Sequence, residues 1–388
     1  MIKKLTQFFS PLPDKDELVE DEKKLKRLQW SFFISVTLGY GLYYVCRMSL
    51  NVVKKPLVDG GILTEQELGL VGSALFFTYA VGKLVNGFLG DRVNITRFMA
   101  TGLIISSLVN IILGFSHSFW VFAILWGVNG WVQSMGAPSS VVGLSRWFTD
   151  KERGSYYGFW SASHNIGEAI TFIATAAVVS IAGWRWGFEA AGIAGLIGAA
   201  VIIIFMKDSP TSQGLPSIIP PKEREKSAGM AQKEVLKNPY IWILALSSAC
   251  MYVSRYAINS WGIFFLENQK AYSSIEASSI VAVNSVCGII GTVLSGFLSD
   301  KLFKGNRVTP AVLFGILNTV AIAMFVLVPE GHHYLDVLSM ILFGLSIGVL
   351  ICFLGGLMAT DIAPKKASGA ALGVVGIASY IGAGIQDI

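Results

Sequence analysis

The chain has 388 residues, of which 53% are hydrophobic and only 14% charged, and its mean hydropathy is +0.60. Soluble domains carry about 25% charged residues, so this composition excludes a soluble enzyme, a disordered chain and a disulfide scaffold. The formal charge of +5 does not point to nucleic acid, because the basic residues fall in short loops between apolar runs, and the partner those runs imply is a lipid bilayer.

Residues 1–29 are polar and mixed in charge, from Lys3 to Arg27, and read as a cytoplasmic extension, not a signal peptide. Apolar runs of about 20 residues, long enough to cross roughly 30 Å of hydrocarbon, follow near 30–53, 67–89, 98–115, 119–145, 155–181, 186–206, 240–265, 275–298, 308–328, 335–359 and 368–388. The first run carries Tyr40, Tyr44, Arg47 and Asn51 on one face of a helix. The second carries Tyr79, Lys83 and Asn86, and the fifth Trp160, His164 and Glu168. Residues 207–239, with Pro210, Pro216, Pro220 and Pro221 followed by the run KEREK, read as a linker. After it the seventh run repeats the stripe as Tyr252, Arg255 and Asn259. His332 and His333 fall in a loop with no metal pattern. Cys46, Cys250, Cys287 and Cys352 sit inside apolar runs as packing residues, without metal or disulfide spacing.

Charge sets the orientation. Of 30 Lys and Arg, 23 precede the first run or occupy loops on the same side, against four (Lys54, Lys55, Arg185 and Lys270) in the opposite loops. The positive-inside rule then places the N-terminus and the 207–239 loop in the cytoplasm. Repetition sets the architecture. Gly87-Phe-Leu-Gly-Asp91-Arg92 recurs as Gly296-Phe-Leu-Ser-Asp300-Lys301, and Tyr44-Val-Cys-Arg47 as Tyr252-Val-Ser-Arg255, at offsets of 209 and 208. The expectation is an all-α, polytopic membrane protein of two six-helix halves. The extension is 1–29, the first bundle 30–206, the linker 207–239 and the second bundle 240–388, whose last helix is expected to be missing.

Arg47, Lys83 and Arg255 lie within apolar runs. Each costs roughly 2.5–3.5 kcal/mol near mid-membrane even on the lenient insertion scale, so together they should face a water-filled cavity or a partner. Glu168 and Glu189 are the acidic candidates, and Glu189 belongs near the outer surface. One acid does not neutralise three cations, so the remaining partner is an anionic ligand, and phosphate suits the guanidinium fork. Two blander readings stay open: Lys83 snorkelling to an interface and His164 as a packing residue.

GYGLYYVCR (39–47), TYAVGK (78–83), DKERG (150–154), FWSASHNIG (159–167), NPYIWILALSSACMYVSRYAINSWG (238–262), SDKLFKGNR (299–307) and APKKASGAALG (363–373) resemble the organophosphate:phosphate antiporters of the major facilitator superfamily. The resemblance covers nearly the whole chain. It implies a phosphate site of Arg47 and Arg255, one from each half, with Lys83 and His164, and a cavity lined by Tyr40, Tyr44, Tyr79, Tyr252, Trp160 and Tyr380. Asp91, Arg92, Asp300 and Lys301 read as gating or structural residues. This chain departs from the family pattern at Met48, Ser161 and Glu168, and lacks the Gly-Pro usual in the tenth span.

The resulting expectation is a monomeric inner-membrane exchanger of inorganic phosphate for glycerol 3-phosphate or a hexose phosphate, with no cofactor, no metal and no enzymatic activity. The alternative keeps the same site in a membrane sensor that signals to a histidine kinase. Glu168 is expected either to return to a site cation when the ligand leaves or to pair permanently with one.

Overall fold

The computed structural model describes residues 7–13, 15, 17–90, 93–148, 150–217, 234–297, 302–303, 306–362 and 368–387. Among them there is no strand, and helices occupy all eleven apolar stretches. They are α1 Glu22–Asp59, α2 Glu65–Gly90, α3 Ile95–Gly114, α4 Phe119–Gln133, α5 Gly136–Trp147, α6 Asp150–Ala182, α7 Trp184–Phe205, α8 Pro239–Gln269, α9 Ser274–Phe297, α10 Val308–Leu327, α11 His333–Cys352, α12 Met358–Ile362 and α13 Ser368–Ile385. Among the described residues, seven helical segments are both long and apolar enough to cross a membrane.

The ends of the helices are written locally. Asp21 accepts from Lys24 N at 2.9 Å, so α1 starts at Glu22, well before its apolar run, and runs on to Asp59. In α2, Thr64 and Glu67 cap each other's backbone N–H, at 2.8 Å and 3.2 Å. Ser273 and Glu276 do the same at the start of α9, at 3.0 Å and 3.4 Å. These two capping boxes are 209 residues apart, the offset of the Gly-Phe-Leu repeat. Asn238, accepting from Tyr240 N at 3.0 Å, and Pro239 at the first helical position together start α8.

The fourth apolar run was expected to be one helix, but it is two. The chain turns at Ser134–Met135 between α4 and α5. Pro138 has no N–H to offer the Ser134 carbonyl and crowds it. In the tenth run, Phe353–Leu357 widens into a π-turn between α11 and α12.

Packing repeats as well. In the first half α1 lies against α6 and α2 against α4; in the second α8 lies against α13 and α9 against α11. The halves meet along α6–α9, α2–α13 and α1–α8. At the Lys54 end these contacts are close: Ser73 donates to the Gly384 carbonyl at 2.7 Å, while within the second half Trp261 Nε1 donates to Asp387 at 2.7 Å. Lys54 Nζ stands 3.5 Å from the centroid of the Trp261 ring.

Candidate functional site

The polar stripes of α1, α2, α6 and α8 converge where the halves meet. A side chain at Gly167 of α6 would collide with the Gly41 carbonyl of α1. Glycine therefore brings these two helices together and sets Tyr40 on Trp160 (centroids 4.7 Å apart) and Tyr44 beside His164 (5.5 Å). Tyr40 and Tyr44 are themselves 5.7 Å apart.

Arg47 is 4% exposed. Its guanidinium carbon is 4.5 Å from the centroid of Tyr79, 5.6 Å from those of Tyr44 and Tyr380, and 5.7 Å from that of Tyr256. Its Nη2 donates to Tyr256 Oη at 3.1 Å, and its buried Nε makes no hydrogen bond. Among the described residues Arg47 pairs with no carboxylate. Ring faces attract a cation but leave its N–H groups unsatisfied.

Arg255, 6% exposed, lies in a different environment. Its Nη2 is 3.5 Å from Glu168 Oε2, a separation at the outer limit of hydrogen bonding. Glu168, 1% exposed, also accepts a short hydrogen bond from Asn259 Nδ2, and Asn284 in turn donates to Asn259 Oδ1 at 3.4 Å. Both arginines sit 5.7 Å from the centroid of Tyr256, so the two guanidinium groups share one ring as a neighbour.

Tyr380 of α13 ties the cluster together, 4.5 Å from Tyr79 and 5.3 Å from Tyr252. Lys83 does not turn back along its own helix. Its Nζ lies 4.9 Å from the Tyr380 centroid, against Gly376 of α13. The structure thus gathers Arg47, Arg255, Lys83, Tyr44, Tyr79, Tyr252, Tyr380 and Glu168, with Tyr40, Trp160 and His164 on an adjoining wall. Asp91, Arg92, Asp300 and Lys301 lie outside the described residues.

Sequence reasoning missed Tyr256, the residue that hydrogen-bonds Arg47. Its signal was present, since Tyr252 and Tyr256 are one helical turn apart and share a face. It also placed Lys54 and Lys270 in loops, whereas they are 1% and 6% exposed. The short list of interior acids needs correcting too: Asp336 is fully buried and pairs with Lys270 at 2.5 Å, and Asp387 is 4% exposed. No cluster of His, Cys, Asp or Glu among the described residues could hold a metal ion.

Residues 36–386 match the Major Facilitator Superfamily. The chain belongs to that superfamily. Among its relatives, the membrane sensor protein UhpC of Salmonella typhimurium is 34% identical over 91% of this chain and 82% of its own length. A probable hexose phosphate transport protein of Chlamydia pneumoniae is also 34% identical, over 97% of this chain and 88% of its own. Among solved structures, a bacterial homologue of the human lysosomal transporter Spinster, in an inward-facing and unoccupied conformation, superposes with a TM-score of 0.78 at 22% identity. That match covers 93% of this chain and 81% of the other, and carries the fold. This member of the facilitator superfamily is accordingly a multi-pass membrane protein of the non-enzymatic transporter class.

Proposed function

We propose that this facilitator is a secondary antiporter that exchanges inorganic phosphate for an organophosphate, a hexose phosphate or glycerol 3-phosphate. It acts in the inner membrane with its N-terminus in the cytoplasm, and as a monomer. The observation that carries this reading is Arg47, a buried guanidinium held by ring faces and one phenol, whose remaining N–H groups suit a phosphate oxygen pair. The hexose phosphate named for the Chlamydia relative supports the substrate class.

The bundles 30–206 and 240–388 are the moving bodies and 207–239 their linker. They rock about a site near the bilayer midplane, with Asp91, Arg92, Asp300 and Lys301 assigned to gating. The contacts of Ser73 with Gly384 and of Lys54 with Trp261 hold the outer end together. Arg47 and Arg255 repel one another beside the shared Tyr256 ring, and a dianion bridging them draws the halves together. The loaded carrier is therefore the one that turns over.

A sensor with the same site is the second reading, favoured by the 34% identity to a membrane sensor protein. Counterflow separates the two. Proteoliposomes loaded with phosphate should accumulate labelled glucose 6-phosphate or glycerol 3-phosphate. Ligand-induced thermal stabilisation with no flux, together with capture of a histidine kinase, would favour the sensor and overturn exchange.

A further inference from the structure

Glu168 is an acid built into a site for acids. It is 1% exposed, on α6, and reaches across to α8 in the other half. Its grip on Arg255 is a single contact at 3.5 Å, whereas its bond to Asn259 is short. The carboxylate is thus held by the amide and only leaned on by the arginine. When Arg255 swings to a ligand, Glu168 keeps a partner and stays in the site. Among the described residues no ion pair joins Arg47 or Lys83 to a carboxylate, so the one paired acid of the cluster, Glu168, stands on the Arg255 side.

From this asymmetry we propose, resting on the organophosphate reading above, that Glu168 is a specificity-determining residue that admits phosphate esters of polyols and rejects those bearing a carboxylate besides the phosphate. Three cations and one fixed anion leave a balance suited to one dianionic phosphate group. A hydroxyl placed beside Glu168 donates to it, as polyols do to carboxylates. A ligand carboxylate placed there meets a like charge in a dry site, where the repulsion is strong.

The test uses purified full chain and ligand-induced thermal stabilisation, titrated with inorganic phosphate, glucose 6-phosphate, 3-phosphoglycerate and the methyl ester of 3-phosphoglycerate. Wild type should bind 3-phosphoglycerate roughly tenfold or more weaker than glucose 6-phosphate, and the methyl ester, which lacks the second charge, should recover most of that loss. In Glu168→Gln, and equally in Glu168→Ala should the first fail to fold, the gap should narrow to about threefold or less. Equal binding of 3-phosphoglycerate and glucose 6-phosphate by wild type overturns the inference, as does a methyl ester no better than the acid. An unchanged gap in the Glu168 variants likewise removes the residue from selectivity. If neither phosphate nor any ester stabilises the wild type, the organophosphate reading itself fails, and this inference with it.

Discussion

Arg47→Lys keeps one positive charge in the site and removes the planar fork. Two losses follow from the geometry. The Tyr256 hydroxyl, now 3.1 Å from Arg47 Nη2, loses its donor, and leaving a buried polar group unsatisfied costs about 1–3 kcal/mol. A bound phosphate loses one of two parallel charge-assisted hydrogen bonds, worth about 1.5–3 kcal/mol. At about 1.4 kcal/mol per decade, phosphate affinity should fall roughly tenfold to a hundredfold. Lysine, a compact and strongly hydrated charge, should also sit worse among the faces of Tyr44, Tyr79, Tyr256 and Tyr380. The measurement is phosphate counterflow at equal protein level, alongside thermal stabilisation by phosphate. Tyr256→Phe separates the terms, since it deletes the protein's own hydrogen bond but spares the fork. Its effect on the melting temperature of the unliganded protein should overlap with that of Arg47→Lys and fail to add. Exchange near wild type in Arg47→Lys would refute the reasoning and take Arg47 out of the site.

Arg255→Lys should likewise weaken phosphate exchange, and the double lysine variant should lose little more than either single one, because both arginines grip one ligand; additive losses in counterflow would argue for separate sites. Lys54→Met should loosen the closed end by removing a cation–π contact worth about 0.5–2 kcal/mol, read as faster labelling of a cysteine introduced at Ser73 from the outer face. Asp336→Asn leaves the Lys270 ammonium buried without its charge partner and should destabilise the fold by about 3–5 kcal/mol, visible as a lower melting temperature without a change in apparent phosphate affinity. Burial, with the Asp336 carboxylate 2.8 Å away, pushes the Tyr272 phenol up to about 12. In Asp336→Asn its ionisation should move down towards the ordinary phenol range, followed by ultraviolet difference titration against Tyr272→Phe.

Much of the architecture could be read in advance because it is periodic. Twenty-residue apolar runs, a charge imbalance between loops and two repeated motifs specify a duplicated helical bundle without reference to any contact. The polar stripes also identified which helix faces converge, since Tyr40, Tyr44 and Arg47 must share a side wherever α1 is placed. What escaped depends on neighbours distant in sequence. Tyr256 gains its role only from Arg47, 209 residues away. Lys54 and Lys270 are spaced like interface lysines, and become buried because Trp261 and Asp336 arrive from other helices. The break at Ser134–Met135 was local, but Pro138 could be read as a mild kink until the turn itself was seen. Glu168 was identified as a possible partner for several cations, and distance singles out Arg255.

The unequal dressing of the two arginines has a kinetic consequence. Aromatic faces hold Arg47 in place without cancelling its charge, and among the described residues no carboxylate pairs with it. Arg255, shielded by Glu168, projects far less. On the proposed phosphate exchange, an arriving dianion should be drawn first to the half that carries α1, and its encounter should slow as ionic strength rises. Two helices that carry the same Tyr-x-x-Arg motif would then divide the labour, the one with Arg47 attracting from a distance and the one with Arg255 closing at contact.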